Sequence, residues 1–162
     1  MIGFWKRETA ERKLSGLAGI ISAFKLEDDS HMEELRDNQR CFVCGKKNPS
    51  GLQVDFVINA EERSLHATYT PAHVFQGFEG IVHGGVLSTL LDEAMAKLAF
   101  SLGYQVMTAE MTVKFKTPAR TGEEISIFGK LTQENKRLIL AEAKIMRGLV
   151  VIAEATGKLL RI

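Results

Sequence analysis

The sequence has little cysteine and no long apolar run. Only two cysteines, Cys41 and Cys44, occur among the 162 residues, and they are half of the usual four-ligand set of a structural zinc site. A membrane-spanning helix needs about 20 consecutive apolar residues, whereas the apolar runs here are short, as in Leu149 to Ala153. We therefore expect no membrane partner. The scarcity of cysteine is compatible with the reducing cytoplasm, where we expect the protein to reside.

An excess of charge of either sign is also missing. The chain carries 21 Lys and Arg against 20 Asp and Glu, which gives a formal net charge of +1, and its basic residues are scattered. A nucleic-acid-binding domain normally gathers Lys and Arg on one face, so we expect no nucleic-acid partner. With 45% hydrophobic and 25% charged residues, the composition is typical of one globular domain with a sizeable core.

Several signatures of catalysis and metal binding are absent from the sequence. It contains neither the G-x-S-x-G turn of serine hydrolases nor the glycine-rich phosphate loop of nucleotide-hydrolysing enzymes. His31, His66 and His73 are not spaced as metal ligands usually are. We therefore predict no metal cluster and no cofactor.

The cysteine pair leaves three interpretations open. In the motif Cys-Phe-Val-Cys-Gly at 41–45, the thiols can simply pack a turn, which is the interpretation we favour. The alternatives are a metal half-site that another chain completes and a redox pair.

Residues 1–31 differ in character from the rest of the chain. They combine a mixed-charge opening with an apolar patch from Leu14 to Phe24, which is compatible with an amphipathic helix. The tripeptide Ser30-His31-Met32 is also typical of a cloning junction, so the segment before Met32 can equally be interpreted as expression-derived. We divide the chain into an extension over 1–37 and one domain over 38–162.

Periodicity predicts two strands, one helix and four further strands. Alternation of apolar and polar residues predicts strands over 52–58 and 65–69. Apolar residues at three- and four-residue steps then predict a helix from about Gly84 to Leu102, ended by Gly103. The remaining predicted strands are Ala109 to Phe115, Ile125 to Thr132, Leu138 to Met146 and Leu149 to Leu160. This order predicts an α+β layer in which an antiparallel sheet curls around one long helix.

Two neighbouring acids lie within the apolar run of the predicted helix. Glu93 has Lys97 four residues later, which is the favourable order for an exposed ion pair, so we interpret it as a surface residue. Asp92 has mostly small or apolar neighbours at helical spacing, which leaves room around its carboxylate for a ligand or a water. Because burial of an acid is costly, we predict that Asp92 is functional.

A glycine pair begins the same helix. Gly84 and Gly85 allow a ligand to approach the backbone closely, and the first turn of a helix presents amide hydrogens that no helical carbonyl accepts. Such amides can stabilise an oxyanion. His83 can orient this turn, contact a substrate or bond to the backbone at the helix start.

These motifs together resemble a known family. His83-Gly84-Gly85 with an acid nine positions after the histidine resembles the signature of PaaI-like hotdog-fold acyl-CoA thioesterases. The resemblance covers about Asn38 to Leu160 and includes the opening motifs Cys-Phe-Val-Cys-Gly and Asn-Pro-Ser-Gly-Leu. It implies a hotdog fold, in which one long central helix is wrapped by a curved antiparallel sheet of about six strands. It also implies homodimers that pair their sheets edge to edge and assemble into homotetramers.

The resemblance also implies roles for four residues. Asp92 matches the catalytic carboxylate, which activates water or attacks the thioester carbonyl. Gly84 matches the glycine whose backbone N–H polarises that carbonyl, and its place at a helix N-terminus suits this role. Thr108 matches a Ser or Thr that in several members reaches the site from the partner subunit and positions the water, although an ordinary strand threonine explains it equally well. We add His83 to this catalytic set.

One departure from the family pattern concerns the loop before the helix. Several members have Asn or Gln six residues before the histidine, where this chain has Gly77. We therefore expect Gly77, Gly85 and Glu79 to line the substrate site, with Glu79 as a substitute for the missing amide. The CoA phosphates need cationic neighbours, and the candidates are Lys114, Lys116 and Arg120.

The function predicted from the sequence is hydrolysis of an acyl-CoA thioester to a free acid and CoA, without metal or cofactor. The acyl group is left open. The alternatives are a hotdog hydratase or dehydratase, suggested by His73, and a non-catalytic acyl-CoA sensor. The spacing between Gly85 and Glu93 argues against the dehydratase, and the lack of a DNA-binding helix pair before residue 40 argues against the sensor.

Overall fold

The computed structural model of the protein describes residues 34–162. The interpretations given above for residues 1–31 and for the junction at Met32 lie outside this range. Within residues 34–162, no helix has the length and apolar character that crossing a membrane requires.

The described chain contains one long α-helix and eight strands. The helix, α1, spans Gly84–Ser101. A 3₁₀ turn at His73–Phe75 precedes it. The strands are β1 (Val57–Asn59), β2 (Ser64–Tyr69), β3 (Gln76–Phe78), β4 (Ile81–Val82), β5 (Val106–Phe115), β6 (Ile125–Glu134), β7 (Leu138–Arg147) and β8 (Val150–Arg161).

Six of the strands form one antiparallel sheet that supports α1. Their order is β1-β2-β6-β7-β8-β5, and β3 and β4 form a separate hairpin before the helix. The helix packs against β2, β5, β6, β7 and β8. This arrangement confirms the predicted α+β class and the hotdog architecture. The strand β5 lies at one edge of the sheet, directly after the helix in the chain.

The helix is held by a continuous apolar face. Leu87, Leu91, Ala94 and Leu98, the positions predicted from periodicity, are all buried. The helix ends at Ser101, and Gly103 follows with a positive φ of 87°, a conformation that glycine adopts without steric cost. The predicted helix bounds are therefore correct to within one residue.

The first predicted strand differs from the structure. Leu52 and Val54 are buried as the alternation requires, yet β1 begins only at Val57. The amide of Leu52 donates to Phe42 O at 2.8 Å and that of Val54 donates to Val43 O at 2.9 Å. This segment therefore pairs with the cysteine-containing turn rather than with the sheet, because the alternation reports burial and does not identify the hydrogen-bonding partner.

Two glycines allow the sheet to approach the helix closely. A Cβ added at Gly129 on β6 would lie 2.9 Å from the backbone oxygen of Ala94. A Cβ added at Gly157 on β8 would lie 2.9 Å from the Sδ and Cε atoms of Met95. The added Cβ would therefore meet the helix backbone at Gly129, whereas at Gly157 it would meet only the end of a flexible side chain.

We predict that Gly129→Ala lowers the free energy of unfolding by about 1–3 kcal/mol, because the helix backbone must shift to make room. Gly157→Ala is the matched control and should cost less, since Met95 can change its rotamer. Urea unfolding followed by circular dichroism measures both values. An equal or smaller loss for Gly129→Ala would contradict the backbone clash.

Candidate functional site

The N-terminus of α1 is capped by the histidine that precedes it. His83 has extended backbone angles (φ −61°, ψ 133°), and its Nδ1 accepts a hydrogen bond from the Gly85 amide at 2.9 Å. The carbonyl of His83 accepts from the Val86 amide at 3.0 Å. Of the three functions considered for His83, the structure therefore shows the backbone bond at the helix start.

The Gly84 amide is left free by this capping arrangement. No acceptor in residues 34–162 takes a hydrogen bond from its N–H. The half-buried Gly84 lies beside the ring of Phe115, at the end of β5, since an added Cβ would be 3.4 Å from Phe115 Cζ. A free donor at the positive end of the helix dipole is suited to a developing negative charge.

The carboxylate of Asp92 is held by a threonine from β5. Thr108 Oγ1 donates to Asp92 Oδ1 at 2.7 Å, and both residues are half-buried. Within the described range, the second carboxylate oxygen has no hydrogen-bond partner. The family resemblance implied that Thr108 reaches the site from the partner subunit, whereas in the structure it contacts Asp92 of its own chain.

The two hydroxyl groups near Asp92 on the helix do not form hydrogen bonds with its carboxylate. Ser88 Oγ donates to the Gly84 carbonyl at 3.0 Å, and Thr89 Oγ1 donates to the Gly85 carbonyl at 2.9 Å. Both hydroxyl groups therefore bond to backbone carbonyls of the preceding turn of α1. The free oxygen of Asp92 stays available to a ligand or a water.

Gly84 and Asp92 are distant from each other within one chain. They are eight residues apart on a continuous helix, and at about 1.5 Å of rise per residue this places them about 12 Å apart along the axis. The two groups cannot contact the same small reacting centre from a single chain.

The acid next to Asp92 has other partners than the sequence predicted. Lys97 Nζ pairs with Asp37 Oδ2 at 3.0 Å rather than with Glu93. Glu93 Oε2 lies 3.5 Å from Cys41 Sγ. The predicted surface pair of Glu93 and Lys97 is therefore wrong, because the segment before residue 45 covers this side of α1, and helical spacing alone cannot reveal such a contact.

Both cysteines are free thiols in a half-buried position. Burial, together with the hydrogen bond and negative charge of Glu93, raises the pKa of the Cys44 thiol to about 12. Cys41, Cys44 and Glu93 form a cluster that sequence reasoning missed. The Cys-x-x-Cys-Gly motif indicated two members of the cluster, and nothing in the sequence linked them to Glu93.

The other predicted site residues lie on the loop before α1 and on neighbouring strand ends. A Cβ added at Gly77 would lie 3.1 Å from His83 Cδ2, so the histidine ring covers the place of the missing amide side chain. Glu79 and Gly85 are exposed. The alternative candidate His73 is hydrogen-bonded through Nδ1 to Thr121 Oγ1 at 2.8 Å.

The three predicted cations differ in their surroundings. Lys116 is paired with Glu154 at 3.1 Å. Lys114 on β5 is exposed, and so is Arg120, which forms a β-bridge with Ile81 of the hairpin before the helix. The structure therefore places Arg120 beside the loop that leads into α1.

The comparisons with known proteins give a consistent assignment. The sequence model of the Thioesterase superfamily matches residues 79–149, which include α1 and the whole of β5 and β6. A thioesterase superfamily protein of known structure superposes with a TM-score of 0.71 at 25% identity, covering 96% of this chain and 81% of that one. The Escherichia coli PaaI protein from the phenylacetic acid degradation operon shares the fold, with a TM-score of 0.63 at 23% identity over 68% of this chain and 80% of that one.

Curated relatives are named acyl-coenzyme A thioesterases. THEM4 of Bos taurus is 23% identical over 163 residues, covering 99% of this chain and 68% of that protein. Acyl-coenzyme A thioesterase 13 of Mus musculus is 30% identical over 83 residues, covering 50% of this chain and 55% of that protein. The matches cover 68% and 55% of the length of these two relatives.

We predict that His83→Ala lowers the free energy of unfolding by about 1 kcal/mol, because the Gly85 amide loses its acceptor. His83→Asn should retain most of the stability, since asparagine is among the strongest N-cap residues. Urea titrations of the two variants and the wild type provide the comparison. Equal losses in both variants would show that the ring contributes more through its contact with Gly77 than as a cap.

Proposed function

Because residues 79–149 match the model of the Thioesterase superfamily and the fold is that of a thioesterase superfamily protein of known structure, we propose that the chain hydrolyses acyl-CoA thioesters to the free carboxylic acid and CoA. The observation that carries this proposal is the half-buried Asp92 carboxylate, with one oxygen held by Thr108 and the other unpaired within residues 34–162. A thioester is activated enough for one carboxylate and one oxyanion donor to catalyse its hydrolysis.

In the proposed reaction, the free oxygen of Asp92 accepts a proton from a water as that water attacks the thioester carbonyl carbon. The tetrahedral oxyanion then collapses, the carbon–sulfur bond breaks and CoA leaves as a thiolate. Asp92 returns the proton to the CoA sulfur, so the carboxylate is regenerated. Thr108 acts as a positioning residue, because its hydrogen bond fixes the orientation of the carboxylate.

The proposed oxyanion donor is the backbone N–H of Gly84. It is free of any acceptor within the described part of the chain and lies in the first turn of α1. Both features favour stabilisation of the negative charge that develops on the carbonyl oxygen. His83 supports this donor indirectly, because its cap is on Gly85 and leaves Gly84 available.

The separation of Gly84 and Asp92 leads us to propose a site shared by two subunits. The strand β5 is ten residues long, lies at the sheet edge and exposes Met107 and Phe115. Such an edge is suited to pairing with a second copy of the same strand. Two sheets joined in this way would form one continuous sheet of about twelve strands.

The register of this pairing follows from the positions of the two groups along β5. Thr108 and Asp92 lie near its beginning, whereas Phe115 and Gly84 lie at its end. Because β5 carries a bulge between Thr108 and Glu110, a two-fold axis at residue 112 opposes residue 108 to residue 115 of the other copy in an antiparallel pair of identical strands. Gly84 of the partner subunit would then lie on the same side as Asp92.

A pairing of two such dimers into a tetramer is a further proposal.

The CoA phosphates are proposed to bind the exposed cations Lys114 and Arg120, with Lys116 available after release from Glu154. Gly77, Gly85 and Glu79 are proposed to line the acyl entrance beside His83. The acyl group itself is best identified with a panel of acetyl, hexanoyl, palmitoyl, phenylacetyl and hydroxybenzoyl CoA.

Asp92→Asn should lower kcat/KM by at least about 100-fold on the best substrate, because the amide cannot accept the proton of water. Release of free thiol, followed with a colorimetric thiol reagent, measures the rate. Glu62→Gln, in the exposed turn between β1 and β2, serves as a control and should behave as wild type. Unchanged hydrolysis by Asp92→Asn would refute the assignment. Binding of acyl-CoA without thiol release would favour a sensor, and addition or loss of water without thiol release would favour a hydratase.

Gly84→Pro should lower kcat by about 100- to 1,000-fold, because proline removes the proposed N–H donor. Proline suits the first helical position, and the extended backbone of His83 is the conformation that precedes proline. Gly84→Ala retains the N–H, and its Cβ meets Phe115 at an ordinary contact distance of 3.4 Å. It should therefore keep most of the activity. Equal losses in both variants would exclude the backbone donor.

Mixing inactive Asp92→Asn and Gly84→Pro chains tests whether the site is shared. A mixed dimer contains one site with both groups intact, so random exchange of subunits should restore about a quarter of the wild-type activity. Each variant incubated alone is the control. Failure to restore activity, when exchange is verified by native mass spectrometry, would contradict a site built from two chains.

Thr108→Val should lower kcat by about 10- to 100-fold with little change in KM, because it removes the hydroxyl that orients Asp92 while preserving the shape of the side chain. Thr108→Ser retains the hydroxyl and should restore most of kcat. Steady-state kinetics on the best acyl-CoA measure both parameters. Wild-type activity in Thr108→Val would show that Thr108 has only a structural role.

A further inference from the structure

A second cluster of chemically reactive side chains lies beside the proposed site. It consists of Cys41, Cys44 and Glu93. Each of them offers one potential ligand atom, and these three atoms lie within 4.8 Å of one another. The two cysteines belong to the turn at 41–45, and Glu93 lies in the middle of α1. Two thiols and a carboxylate are ligand types that Zn²⁺ accepts.

The separation of one pair of these atoms matches tetrahedral coordination. With Zn–S near 2.3 Å and Zn–O near 2.0 Å, a tetrahedral ion holds its sulfur and oxygen ligands about 3.5 Å apart. Cys41 Sγ and Glu93 Oε2 are separated by 3.5 Å. A bound ion would therefore need little movement of these two side chains.

The turn that carries the cysteines has one backbone amide that donates to a sulfur. The amide of Val43 donates to Cys41 Sγ at 3.3 Å, and the amide of Gly45 donates to Cys41 O at 3.0 Å. A Cβ at Gly45 would lie 2.5 Å from the Cys41 backbone, so only glycine permits this closure. Amide donors to sulfur orient metal-binding thiolates and disperse their charge.

The charges around the cluster are compatible with a divalent cation. Two thiolates and one carboxylate supply three negative charges, and Zn²⁺ leaves one of them uncompensated. Lys97 lies close enough to interact electrostatically with Cys44 and Glu93, so its ammonium group offsets part of the remaining charge. Asp37, which pairs with Lys97 at 3.0 Å, fixes the position of that group.

The fourth coordination position faces a cavity. Its volume is about 280 Å³, and Cys41, Cys44 and Glu93 line it together with Asn38 and Phe100. This is ample room for one water molecule.

We propose that Cys41, Cys44 and Glu93 bind one Zn²⁺ per chain, with a water as the fourth ligand. Binding releases the two thiol protons and joins the turn at 41–45 to α1. Because Glu93 directly follows Asp92, the ion would tie the turn to the helix at the level of the proposed catalytic acid. This site lies outside the thioesterase chemistry and needs no change in it.

The test uses the reduced full chain, first stripped of metal with a chelator and then titrated with Co²⁺ and Zn²⁺. Co²⁺ should produce thiolate charge-transfer absorption and the visible bands of a tetrahedral ion, saturating at one equivalent per chain. Zn²⁺ should displace it and raise the melting temperature. Absence of these bands at millimolar Co²⁺ would overturn the proposal, and so would saturation at one ion per two chains.

Three ligand variants and one control complete the test. Cys41→Ser, Cys44→Ser and Glu93→Gln should each weaken Zn²⁺ binding by at least about 100-fold, whereas Glu62→Gln should not. Circular dichroism checks that each variant folds, and Cys→Ala versions replace any serine variant that does not. Glu93→Gln separates the metal site from a disulfide, since it keeps both thiols. Unchanged Zn²⁺ affinity in Glu93→Gln would refute the three-ligand site.

Discussion

The burial of α1 against the sheet is the constraint on which the other features depend. Leu90, Leu91, Ala94, Met95 and Leu98 are completely buried, and β6 approaches the helix backbone closely at Gly129. A core packed at this density resists displacement of a whole element. The rotation of the helix therefore fixes which of its polar groups face the edge strand, which face the cysteine turn and which remain at its start.

Neighbouring residues on this locked helix have different partners. Successive positions of an α-helix are rotated by about 100°, so Asp92 meets Thr108 on β5 while Glu93 meets Cys41. The two carboxylates are chemically alike, and their surroundings give them different proposed roles. One is held by a neutral hydroxyl and keeps an oxygen free, whereas the other lies against two thiols.

The architecture and the helix were predictable from the sequence because both depend on local periodicity. The bounds of α1 and the alternation along β5 follow from which positions need burial. The segment at 52–56 shows the limit of this reasoning, since its alternation is real but its hydrogen bonds go to Phe42 and Val43. The contact of Glu93 with Cys41 joins residues 52 positions apart, and no local pattern encodes it. The hydrogen bond between Asp92 and Thr108 of the same chain was not predicted, since the family resemblance implied a threonine from the partner subunit.

The rise of α1 between Gly84 and Asp92 has a consequence for the enzyme at low concentration. Side-chain motion cannot close a gap of about 12 Å along a rigid helix, so a dissociated monomer would contain both groups and still lack a working site. Specific activity would then fall on dilution and recover on concentration, as mass action between subunits requires. Subunit affinity, rather than any change of shape within a chain, would decide how much of the protein is active.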